Sequence, residues 1–211
     1  MSLRYFIHCS GENLNKINAT VITSNTYTVT GLSKDTVYYF QVRTVNTDDK
    51  VGDYNADVPF VQMSPRPGYV IGQLMMEISG SDSNETGCAL RFETGEVLDE
   101  VNNEFPNADI FADKIDPDSA QLVTASARTN GRSTLIAKLD TTEYSYDDWD
   151  FSGYTFGNDD RQVVRVNDLL LCKTEEGNYV KVLIQDVDLP NNTISLKYAY
   201  QNLTNYPYLS P

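Results

Sequence analysis

The residues best equipped for chemistry in this 211-residue chain are oxygen-bearing side chains spaced at fixed intervals in two loops. Asp82-Ser83-Asn84-Glu85-Thr86-Gly87, followed by Glu93, has the D-x-N-x-x-G-x5-E spacing of a calcium loop. In that arrangement Asp82, Asn84 and Thr86 supply oxygens, Gly87 makes the sharp turn, and Glu93 closes the shell with two more. Asp148, Asp150, Ser152, Gly153 and Asp159 repeat the pattern with an Asp in the closing position. Neither loop has helical flanks, which excludes a helix–loop–helix calcium site. Asp, Asn, Ser and Gly are also the residues of Asx-type turns between strands. Two readings therefore stand side by side: calcium as a structural cofactor, or plain turns.

The second loop lies among aromatic residues. Tyr144, Tyr146, Trp149, Phe151, Tyr154 and Phe156 alternate with Asp147, Asp148, Asp150, Asp159 and Asp160. Aromatic faces stack on sugar rings while carboxylates accept from hydroxyls, so Tyr146, Trp149 and Tyr154 are candidate glycan contacts. The competing reading follows from Tyr144/Tyr146 and Trp149/Phe151, which are spaced two apart and suit strands that bury their aromatics. Catalysis has less support. One histidine, His8, stands in a strand-like segment, and no nucleophile elbow, zinc-protease, P-loop or dinucleotide motif occurs. The chain is expected not to be an enzyme. A hydrolase using paired carboxylates is the third function in order, because acidic residues are abundant.

Charge is distributed unevenly. Residues 1–67 hold six Lys/Arg and six Asp/Glu, so the whole excess of −14 falls in residues 68–211. Such a balance repels phosphate backbones and disfavours nucleic acid as a partner. A protein or a glycan is the expected ligand. No apolar run reaches the roughly 18 residues needed to span a membrane as a helix. Cys9, Cys88 and Cys172 lack metal-site spacing and read as buried thiols, with Cys88–Cys172 the pairing open within one domain.

These candidate sites must be carried by strands. Helical periodicity is nearly absent, residues 120–127 allowing two turns at most. In Val37–Asn46, Tyr38, Phe40 and Val42 alternate with Gln41 and Arg43, predicting a half-buried strand with the apolar set inward. Residues 27–30 read as a short strand ending at Gly31. Ser64-Pro65-Arg66-Pro67-Gly68 punctuates the chain. Beyond it, residues 69–78, 88–97 and 108–111 are extended segments, and 163–173, 179–187 and 193–201 form a meander with turns at 174–178 and 189–192. The expected division is 1–64, a linker at 65–68, an acidic β domain at 69–205 and a tail at 206–211. The fold class is all-β.

Thr26-Tyr27-Thr28-Val29-Thr30-Gly31-Leu32-Ser33-Lys34-Asp35-Thr36-Val37-Tyr38-Tyr39-Phe40-Gln41-Val42 resembles the corner between the fifth and sixth strands of a fibronectin type III domain. Leu32, Tyr38, Phe40 and Val42 hold that family's offsets, with Lys34 where proline is usual. The resemblance covers about residues 4–64 and implies a β-sandwich pinned by Tyr38, whose hydroxyl returns to the backbone near Leu32. Tyr5-Phe6-Ile7-His8-Cys9-Ser10 matches the third strand, so the first two strands and the family's core Trp are expected to be missing. The sandwich would then be incomplete, cut within the domain or completed by another strand, from the second domain, a neighbouring chain or a homo-oligomer.

Leu171-Cys172-Lys173-Thr174-Glu175-Glu176-Gly177-Asn178-Tyr179-Val180-Lys181-Val182 is similar to the end of HmuY-like secreted bacterial β-proteins, over about 60 residues. Haem does not carry over, since His8 is the one histidine. The same meander also suits a small SH3-like barrel. Taken together, these resemblances imply an extracellular or cell-surface module for adhesion, scaffolding or ligand binding. A glycan-binding accessory module with structural calcium is the alternative.

Overall fold

The structure, a computed structural model, describes residues 5–10, 15–24, 26–33, 36–53, 60–65, 68–78, 87–99, 105–127, 131–148 and 150–209. The chain divides into two compact units, Met1–Pro65 and Arg66–Pro211. It is an all-β protein.

The first unit carries strands β1 (Tyr5–Ser10), β2 (Asn15–Lys16), β3 (Tyr38–Thr44) and β4 (Val61–Met63). They form one antiparallel sheet in the order β2-β1-β3-β4. The alternation expected in β3 is present, but its direction is not: Gln41 is 7% exposed and Val42 is 56% exposed. Alternation shows that two faces differ without saying which one is covered, and in this sheet the covered face includes Gln41. Residues 27–30 join no strand ladder among the described residues and run into Gly31, which sits at φ +75.

The second unit has two sheets. Its strands are β5 (Gly68–Met75), β6 (Glu77–Ile78), β7 (Ala89–Arg91), β8 (Glu96–Leu98), β9 (Ile110–Asp116) and β10 (Ser119–Thr124). The remainder are β11 (Leu135–Lys138), β12 (Arg161–Val164), β13 (Leu169–Lys173), β14 (Tyr179–Asp188) and β15 (Thr193–Tyr200). One sheet runs β12-β10-β9-β7-β8, with β6 added parallel to β9; the other runs β11-β13-β14-β15-β5.

Between the sheets lies the principal core, where Leu90, Ile110, Leu122, Leu170, Val182, Leu196 and their neighbours meet. Each sheet also buries part of its outer face. Ala89, Phe111 and Val123 pack under Ala108 and Ala125 on one side, and Leu139, Phe151, Leu169, Leu171 and Leu209 gather on the other. Strand β13 is thus apolar on consecutive positions because both of its faces are covered.

Several boundaries differ from the sequence reading. Residues 163–173 are not one strand: Asn167 at φ +71 and a turn through Asp168 divide them, and the two halves join different sheets. Residues 88–97 fold into a hairpin, with Gly95 at φ +73 in its turn. A side chain on Gly95 would place its Cβ 2.6 Å from the Tyr69 ring, so glycine is required there twice over. Residues 120–127 are mostly strand, followed by a single 3-10 turn at Ala125–Ala127. Gly68 opens β5 rather than ending a linker. The expected tail is part of the core: Leu209 is fully buried, and Tyr208 pairs with Asp150. Cys88 and Cys172 are buried free thiols, not a disulfide, and burial pushes the Cys172 thiol pKa up.

Candidate functional site

The structure treats the sequence candidates unequally. Asp82, Asn84, Thr86 and Trp149 lie outside the described residues. Glu93 stands in the β7–β8 turn, exposed, with its carboxylate 2.8 Å from the Arg91 guanidinium. In the second loop the candidate carboxylates Asp148, Asp150 and Asp159 each serve a local bond. Asp148 accepts from the Ser145 N–H at 2.6 Å, Asp150 from the Ser152 N–H at 2.9 Å, and Asp159 from the Gln162 amide at 3.2 Å. These are turn-stabilising contacts. Among the described residues no three acidic, His or Cys side chains gather as a metal site. Asp148, Asp150, Ser152 and Asp159 are not brought together as a calcium shell.

Beneath that loop sits a lysine. Lys181 is fully buried on the outer face of the five-stranded sheet, and its ammonium donates to the carbonyls of Asp148 at 2.6 Å and Leu209 at 2.9 Å. It also lies 4.7 Å from the centre of the Tyr146 ring, with the Lys197 ammonium 4.1 Å from that same ring. Tyr154 meets Tyr144 and Phe156 edge-on and packs, half-buried, against Phe151 and Leu169. Tyr146 and Tyr154 are thus members of a small outer core that clamps the loop and the chain's end to β14. In the first unit, Tyr38 and Leu32 are half-buried, and the Tyr38 hydroxyl accepts from the Ser33 backbone N–H at 2.9 Å.

Two buried aspartates, absent from the sequence candidates, organise the six-stranded sheet. Asp109, just before β9, accepts from the Phe92 N–H at 2.9 Å and from the Arg132 guanidinium at 2.8 Å. Arg132 also pairs with Glu176, whose carboxyl is thereby held down at about 2. A loop, a hairpin and the β13–β14 turn are thus tied by one guanidinium fork.

Asp113 is four residues further on, on the outer face of β9. Its register partners are Gln121 on β10 and Glu77 on β6. The Gln121 amide donates to it at 3.2 Å. Burial raises its pKa to about 6, against the lowering pull of Gln121 and the more distant Arg161. Asp113, Gln121 and Arg161 border a cleft of about 360 Å³, walled by Ile115, Val123 and Ala127. Lys114 also borders it, but its ammonium is held by the Leu189 carbonyl at 2.6 Å and by Asn192 at 2.8 Å. A buried carboxylate with a raised pKa, bordering a concave polar cleft, makes Asp113 a candidate functional group. One signal for it was present in the sequence: Asp113 stands two residues after Phe111, on the face where alternation demands an apolar side chain.

No protein-family model, curated protein or solved structure matches this chain.

The site therefore rests on its own geometry. Among the described residues no helix is long and apolar enough to cross a membrane.

Proposed function

We propose that this chain is a non-catalytic module of an extracellular or cell-surface protein, acting by adhesion, scaffolding or ligand binding. The observation that carries the reading is the bond from the Ser33 N–H to the Tyr38 hydroxyl at the entrance to β3. It is the contact that a fibronectin-III-like corner requires, and it fixes a loop to a strand inside a four-stranded antiparallel sheet. The order β2-β1-β3-β4 adds support, since in such sandwiches the third, sixth and seventh strands are neighbours in one sheet. A rigid strand frame with variable loops suits holding another molecule rather than transforming it.

In the second unit, side chains that could have served a reaction are bound into the fold. Arg132, Asp109 and Glu176 form one ionic cluster, and Lys181 closes the aromatic loop. The alternative of a hydrolase with paired carboxylates draws on Asp113 and its register partner Glu77. A direct test incubates the purified chain with a panel of polysaccharides and immobilised extracellular proteins, following both retention and release of reducing ends. Saturable retention without release is the expected result. Release that is lost in Asp113→Asn would replace this reading with a hydrolase.

A further inference from the structure

We infer that the cleft between β9, β10 and β12 is a binding site for a neutral, polyhydroxylated ligand such as a sugar residue. The inference rests on the reading of this chain as a binding module and assigns that module its ligand class and position.

The cleft presents both hydrogen-bond donors and acceptors. Asp113 is an acceptor, Arg161 is a donor, and Gln121 carries an amide that is both; all three border one space. A hydroxyl donates one hydrogen bond and accepts others, so neighbouring hydroxyls on a ring match such an array. Charge narrows the choice. Among the described residues, one carboxylate and one guanidinium border the cleft, while the Lys114 ammonium is held by Leu189 and Asn192. A cationic ligand would face Arg161 and an anionic one would face Asp113, whereas a neutral polar ligand meets neither penalty. Shape agrees: Ile115, Val123 and Ala127 give an apolar wall for the C–H face of a ring, and about 360 Å³ falls within the usual range for a small-ligand cleft.

Gln121 is held in place by its bond to Asp113, and Arg161 by paired contacts of 2.8 and 3.1 Å to Asp160. The buried Gln121–Asp113 part of the array is therefore preorganised, which lowers the entropy lost on binding. Its location separates it from the aromatic loop. Tyr146 and Tyr154 pack on the outer face of the five-stranded sheet, while the cleft opens on the outer face of the other sheet.

The experiment titrates the isotopically labelled full chain with glucose, galactose, mannose and N-acetylglucosamine, and separately with spermidine and sulfate. It follows the side-chain signals of Gln121 and Arg161. At least one neutral sugar should shift both signals saturably, with affinity reduced about tenfold or more in Asp113→Asn and in Arg161→Ala. Because Arg161 is exposed and Asn can keep the Gln121 bond, both variants should fold, as their amide spectra will show. Affinity should also fall as pH drops below about 6, where Asp113 takes up a proton; among the described residues Glu77 on β6 is in register with it, Arg161 on β12, beyond β10, and Lys114 border the same cleft, and Arg91 on β7 stands nearer the start of β9. Absence of any sugar response at these signals overturns the inference, as does a stronger response to spermidine or sulfate. Sugar shifts confined to Tyr146 and Tyr154 would overturn the cleft while leaving the module reading intact. Sugar turnover would overturn the module reading itself.

Discussion

Asp109 and Asp113 lie four residues apart and are both buried, yet the regions around them differ. Around Asp109, a backbone N–H and a guanidinium meet the carboxylate, and Glu176 meets the other end of the same guanidinium. Every group is matched at close range, so the cluster ties segments together. Around Asp113, an amide meets the carboxylate at 3.2 Å, a guanidinium acts from a distance, and the space beyond is a cleft. The first arrangement meets the carboxylate with a full charge at hydrogen-bond distance. The second leaves burial as the largest influence on the carboxyl, which costs stability in the ionised form. Identical side chains four residues apart thus meet different surroundings according to what the neighbouring segments supply.

The largest effect should come from breaking the first region. Arg132→Leu leaves the Asp109 carboxylate buried without its guanidinium, and should lower unfolding free energy by about 3–5 kcal/mol in urea denaturation. A loss under about 1 kcal/mol would show that Asp109 is solvated some other way. Next is Lys181→Met, which sharpens the contrast by removing a buried charge held by two carbonyls and an aromatic ring. It should cost about 2–4 kcal/mol, because the Asp148 and Leu209 carbonyls are left in an apolar setting. Thermal melts and loss of the Tyr146 ring-current shifts would register it together.

Asp113→Asn should act in the opposite direction. The folded-state pKa of about 6 lies above the ordinary 3.8, so the folded chain binds the extra proton between those values. Asp113 therefore favours folding most below pH 3.8, and that contribution is lost as pH rises through 6. At pH 8 the Asn variant should be more stable than the parent by about 1–3 kcal/mol, an advantage that shrinks towards pH 4. Equal stability of the two proteins at both pH values would remove the contrast. Glu176 has the opposite sign, being held down at about 2. Its contribution is present above 4.5 and fades as pH falls towards 2, weakened by an exposure of 48%. The smallest effect is expected far from either aspartate. Tyr38→Phe removes one hydroxyl contact with the Ser33 N–H and should cost the first unit about 1 kcal/mol, seen as faster amide exchange at Ser33.

Much of the fold could be read from the chain because its signals are local. Residues 180–184 alternate as expected: Val180, Val182 and Ile184 enter the core while Lys181 and Leu183 turn outward. The turns at 174–178 and 189–192 also lie where Gly177 and Asn192, both at positive φ, mark them. What escaped was set by distant parts of the chain. Leu169-Leu170-Leu171-Cys172 has no alternation because a second layer, including Leu139 and Leu209, covers its outer face. Val42 and Gln41 show that a pattern can be right in period and wrong in side. Asp148, Asp150 and Asp159 had the spacing of ligands, but spacing does not record that each carboxylate would be satisfied by its own turn or a near neighbour. Asp113 and Gln121 meet only because β9 and β10 pair in one register, and Arg161 joins them from a strand some 40 residues on.

The most direct measurement is a carbon-13 titration of the Asp113 side-chain carboxyl in the folded protein. A cleft governed by burial predicts a midpoint near pH 6. A midpoint at or below the ordinary value of 3.8 would mean that burial does not govern this carboxyl, and the distinction between the two regions would fail.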